Sequence, residues 1–168
     1  MGYVNNTHLS AFIPPAAIAK SAGAWTPALS GHVAGEARGA ADGSFTLLVP
    51  LALPAGGAGQ AGATLTCIDV YYHIATAADD FAAVELEKMA LPANGSAPSG
   101  AAAAITLDGA HDTAAKRKTA GDHCLTVTLA APAHLAADDV YVLQLVIDAA
   151  AATVFTLYGA RAHFELRL

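Results

Sequence analysis

Thr64-Leu65-Thr66-Cys67-Ile68-Asp69-Val70-Tyr71-Tyr72-His73-Ile74-Ala75 decides the fold class. Ile68, Val70, Tyr72 and Ile74 fall on one parity; Cys67, Asp69, Tyr71 and His73 fall on the other. Side chains alternate across a strand, so this rhythm of two describes a strand with one face in a core and one turned outward. A helix would instead require apolar positions three and four apart.

The same rhythm recurs outward from this stretch. Towards the C-terminus, Asp122 to Ala130 places His123, Leu125, Val127 and Leu129 on one face, and Val140 to Ala149 is apolar on both faces, as a central strand is. Thr153 to Leu168 supplies one or two final strands, with Ala162, Phe164, Leu166 and Leu168 alternating against Arg161, His163, Glu165 and Arg167. Towards the N-terminus, Ser44 to Leu53 aligns Phe45, Leu47, Val49 and Leu51, and its Pro50 marks an edge or bulge. Trp25 to Val33 is a further strand, placed at an edge by Pro27. Ala82 to Leu91 is the next strand, Val84 and Leu86 alternating with Glu85, Glu87 and Met89, though the faces blur at its end and a helix is conceivable there. Ala102 to Leu107 reads as one short strand, Pro132 to Asp139 as a connection, and His111 to Gly121 as a polar segment with room for one helical turn. Turn signals stand at Asp42-Gly43, Asn94-Gly95 and Asp108-Gly109, and a Gly/Ala loop runs from Pro54 to Gly62.

About eight antiparallel strands separated by regular turns predict an all-β, two-sheet sandwich over residues 25–168, with a jelly roll preferred and an immunoglobulin-like strand order left open. Residues 1–24, with Pro14-Pro15 and no clean period, read as an extended N-terminal arm with a short turn near Ala16 to Lys20.

Composition narrows the function. Hydrophobic residues make up 55% and charged residues 13% of 168, where about a quarter charged is ordinary. The longest apolar stretch, Val140 to Leu157, is interrupted by Gln144 and Asp148, so no spanning helix is expected. No basic region precedes an apolar stretch near Met1, so no signal peptide is expected. Burial between copies of the chain then accounts for the low charge. A net charge of −6 argues against a nucleic-acid partner.

Candidate sites are sparse. His111, His123 and His134 lie near Asp112, Asp122, Asp138 and Asp139, without the tight spacing that marks a metal site. No Gly-x-Ser-x-Gly elbow is present, Asp79-Asp80 and Asp138-Asp139 read as turns, and Pro54 to Gly62 lacks a phosphate-loop ending. Catalytic, cofactor-binding and metal-ligating residues are therefore all expected to be none. Lys116-Arg117-Lys118 is the only basic cluster, read as a solvated loop with the alternative of an anionic partner. Tyr71, Tyr72, Tyr141 and Tyr158 serve either as a ligand platform or as core. Cys67 and Cys124 read as reduced strand cysteines, with pairing left open.

Val70-Tyr71-Tyr72-His73-Ile74-Ala75-Thr76-Ala77, His111-Asp112-Thr113-Ala114-Ala115-Lys116-Arg117, Gly121-Asp122-His123 and Gly159-Ala160-Arg161-Ala162 are similar to small β-sandwich structural proteins of phage and prophage type. The resemblance covers Trp25 to Leu168 and transfers no functional residue. It implies a decoration or fibre-like component of a virion or other extracellular assembly, a trimer, with capsid or tail proteins as partners. The expectation is a non-enzymatic, self-associating structural protein. A carbohydrate- or surface-ligand-binding β-sandwich is the alternative, and a sandwich hydrolase a third reading.

Overall fold

A computed structural model describes residues 6–30, 32–51, 63–92, 94–134 and 139–167. Two antiparallel sheets lie face to face. The strands are β1 (Asn6–Ile13), β2 (Ala19–Lys20), β3 (Trp25–Ser30), β4 (Val33–Arg38), β5 (Gly43–Leu51), β6 (Ala63–Ile74), β7 (Asp80–Ala90), β8 (Ser99–Ala103), β9 (Ile105–Leu107), β10 (Gly121–His134), β11 (Asp139–Ala149) and β12 (Phe155–Arg167). A 3-10 turn at Pro15–Ala17 follows β1, and α1 (Ala114–Arg117) supplies the expected single helical turn.

The larger sheet has the order β3-β4-β12-β6-β10-β9, with β1 also on β12; the smaller has β2-β5-β11-β7-β8. Strands β4, β5, β6 and β7 alternate between the sheets, as do β10, β11 and β12, and β12 lies between β4 and β6. That is the jelly-roll order, which excludes the immunoglobulin-like alternative.

The strand at 63–74 buries Leu65, Ile68, Val70, Tyr72 and Ile74 against Phe45, Leu47, Val49, Leu143, Leu145 and Ile147 of the facing sheet. Edge-to-face contacts of Trp25 with Phe45 (5.6 Å) and of Phe45 with Phe155 (5.5 Å), and the stack of Phe155 on Tyr72 (5.2 Å), tie the sheets together at one end. Among the described residues no helix is long and apolar enough to cross a membrane.

Several elements differ from their sequence reading. Asn6–Ile13 is not a free arm: it pairs with β12 from Asn6↔Arg167 to Ile13↔Ala160 and buries Ile13. Trp25 to Val33 divides into the β3–β4 hairpin, with Pro27 on the outermost strand of its sheet. Ala102 to Leu107 is two strands in different sheets, because alanine and glycine carry no signal for a face. The strand expected at Ala82 to Leu91 forms as β7, without the helix left conceivable there, and a register shift opposite Val146/Asp148 falls near its start. Strand β10 continues past a shift between Thr128 and Ala133 into the expected connection. The Gly/Ala loop at 54–62 lies outside the described residues.

Candidate functional site

The outer face of the larger sheet carries a graded platform. Register sets its rows. Phe12 of β1, Arg161 of β12, Asp69 of β6 and Thr126 of β10 stand directly across from one another. The next row holds Ser10, His163, Cys67, Thr128 and Thr106. On the other side, Tyr71 stands between Gly159 and Cys124. Neighbouring strands lie about 4.8 Å apart, so the first row spans roughly 14 Å.

Glycines shape this face. Gly159 has φ +123°, and a Cβ there would meet the Ile13 carbonyl oxygen at 2.6 Å and the Phe12 ring at 2.9 Å. The missing side chain lets the Phe12 ring lie down on β12 beside Tyr71 while leaving it 58% exposed. Gly35 does the same for Tyr158, whose Cδ1 would lie 2.9 Å from a Cβ. Of the four tyrosines considered as a platform, Tyr72 and Tyr141 are core, while Tyr71 and Tyr158 are half-buried on this face. Phe12 was missed, because its segment has no legible period and its exposure depends on β12.

Polar groups are organised around Asp69. Its Oδ1 accepts from Thr126 Oγ1 at 2.7 Å, and its Oδ2 accepts from His163 Nε2 at 2.8 Å. At the rim, His73 Nδ1 meets Asp122 Oδ1 at 2.8 Å, and His8 Nδ1 lies 3.7 Å from Glu165. Arg161 is exposed and has no ion pair among the described residues; burial and the Asp69 charge push the Tyr71 phenol up, and the Arg161 charge opposes them.

Cys67, His163 and Asp69 share this face, but they do not make an activated thiol. His163 turns its Nε2 to the carboxylate, and burial together with the Asp69 charge pushes the Cys67 thiol up. Burial and Asp69 raise the Cys124 thiol as well. Both cysteines are free. Cys124 pairs with Tyr71, four residues along β6 from Cys67, a strand distance of about 13 Å. A disulfide needs Cα atoms within about 7 Å, so the pairing left open is excluded.

A second polar cluster closes one end of the sandwich. Asp108 accepts from His111 Nδ1 at 2.9 Å, His111 Nε2 meets His123 Nδ1 at 3.1 Å, and His123 Nε2 donates to the Thr119 carbonyl at 2.9 Å. The sequence placed His111 and His123 in a candidate metal set. They do meet, and each of their ring nitrogens has a protein partner within hydrogen-bond distance. Among the described residues no three His, Cys, Asp or Glu side chains are arranged to hold a metal; the side chains of His134 and Asp138 lie outside them. Burial pushes the Asp108 carboxyl up, but N–H donors of Thr126 and Ala110 and the His111 ring outweigh it and hold the group below its usual value.

The basic cluster 116–118, read as a solvated loop, is solvated only in part. Arg117 is only 6% exposed, donates to the carbonyls of His111 and Phe81 at 2.9 Å each, and lies over the Phe81 ring. The Arg117 carbonyl in turn accepts from Tyr72 Oη at 3.0 Å. Lys116 pairs with Asp112, and Lys118 donates to the Asp79 carbonyl. These residues lock the loops onto the core.

No family model matches the sequence, and no curated protein matches it. Among solved structures, one similar chain is a carbohydrate-binding module, TmCBM61, in complex with beta-1,4-galactotriose. The two are 10% identical over 96% of this chain and 88% of that one, with a TM-score of 0.39. A likeness of that size carries no conclusion about this chain. The platform's own geometry must carry the functional reading.

Proposed function

We propose that this chain is a carbohydrate-binding β-sandwich module that holds a saccharide on the outer face of its larger sheet. One observation carries the reading: the Phe12 and Tyr71 rings flank Gly159, beside a row of fixed polar groups centred on Asp69. A sugar ring presents apolar C–H faces and a rim of hydroxyls. Aromatic rings cover the first at little entropic cost, and orienting polar groups satisfy the second. Asp69 is already held by Thr126 and His163, so its acceptor geometry needs no reordering on binding. Affinity electrophoresis against a panel of plant and bacterial polysaccharides tests this. Wild type is retarded by at least one polymer, and Tyr71→Ala and Phe12→Ala each weaken that binding about tenfold with an unchanged circular dichroism spectrum. Retardation that ignores both substitutions overturns the reading, as does the absence of any glycan ligand.

A second reading, a self-associating component of a larger particle such as a virion, draws on the other face. Leu48, Pro50, Val140, Val142, Val146 and Met89 point outward from the smaller sheet, and Leu29 is 77% exposed on the hairpin edge. A trimer by light scattering at micromolar concentration supports it; a monomer removes it.

A further inference from the structure

We infer that the saccharide is acidic, its carboxylate bound by Arg161; this rests on the sugar reading above and narrows it. The argument is an accounting of charge. Lys20 pairs with Glu36, Lys88 with Asp139 and Lys116 with Asp112. Lys118, Arg38 and Arg117 are spent on backbone carbonyls, the two arginines within the core. Among the residues whose side chains are described, this leaves Arg161 as the one cation without a hydrogen bond or ion pair.

Arg161 stands in the platform's central row, between Phe12 and Asp69. Asp69 is its cross-strand neighbour, yet its described partners are His163 on one oxygen and Thr126 on the other, and not Arg161. The other acids on the face are likewise matched: Asp122 with His73, and Glu165 with His8. The described carboxylates of this face thus take their partners from histidine and threonine, and none bonds the guanidinium. Its planar fork of donors fits a carboxylate in a bidentate manner. A uronic acid whose ring lies on Phe12 and Tyr71 brings such a group to the neighbouring position. An uncharged sugar leaves Arg161 in water.

Polygalacturonate and neutral galactan test this as a pair, by affinity electrophoresis and calorimetry on the full chain. Wild type binds polygalacturonate about fivefold tighter than galactan, the scale of one exposed charge pair. Arg161→Ala brings polygalacturonate binding down to the level of galactan binding, and Arg161→Lys keeps part of the preference. A preference below twofold in wild type, or one that survives Arg161→Ala, overturns the inference and leaves the sugar reading standing. If neither polymer binds and no other saccharide does, both fail. Polyphosphate separates sugar recognition from ion exchange: polyphosphate binding as tight as polygalacturonate binding, with neither affected by Tyr71→Ala, overturns the inference.

Discussion

Gly159→Ala tests whether the first strand and the aromatic platform are held as described. Two costs act together. A non-glycine residue at φ +123° is strained by about 1–3 kcal/mol. The new Cβ also lies 2.6 Å from the Ile13 carbonyl oxygen, a backbone atom fixed by the β1–β12 ladder. Relief requires β1 to move off β12 and expose Ile13, at a further cost of about 1–3 kcal/mol. The sum is about 4 kcal/mol, a large part of the roughly 5–15 kcal/mol that such a domain has. At 2–4 °C per kcal/mol for a chain of this size, the melting temperature falls by roughly 8–16 °C. Gly121→Ala is the matched control, since Gly121 has φ +136° and nothing within 4 Å of a Cβ, so it reports strain alone. Gly39→Ala, at an open position without positive φ, stays within about 1 kcal/mol of wild type. Urea unfolding of the three variants gives the comparison. If Gly159→Ala is no less stable than Gly121→Ala, the close approach of β1 is refuted. Saccharide binding falls with it in folded protein, because the Phe12 ring is displaced.

Three further outcomes follow from the loop-end cluster and the thiols. Asp108 titrates below its unfolded value in the native state, so it favours folding above the ordinary carboxylate range, and this contribution is lost as pH falls through its native pKa; Asp108→Asn therefore flattens the acid limb of urea midpoints below about pH 4, and an unchanged limb rejects this. Arg117→Ala loses two charge-assisted bonds to buried carbonyls and costs about 3 kcal/mol by urea unfolding; a cost under about 0.5 kcal/mol contradicts the locking role. Both thiols stay free under non-denaturing oxidation and react with iodoacetamide at pH 7.5 more slowly than free cysteine, Cys67 slower than the exposed Cys124; an intramolecular disulfide by mass spectrometry would contradict the register of β6 and β10.

Alternation alone fixed most of the sheet architecture, because burial of one face imposes a period of two on any sequence that satisfies it. The core faces at 64–75, 44–51, 122–130 and 140–149 were legible for that reason, and so was the central place of β11. Strand order depends on which distant strands bond, and so do the opposing registers that set Phe12, Arg161, Asp69 and Thr126 in one row. No local pattern encodes that. The β1 strand was unreadable because its apolar side chains gain their partner only from β12, and the β8–β9 crossing because alanine is neutral towards either face. Charge was the least legible property: Arg117 looked like surface and is core, while Arg161 looked like one of an alternating series and has no ion pair among the described residues. Sequence determines which side chains must leave water; only the folded chain decides which neighbours remain to satisfy the rest.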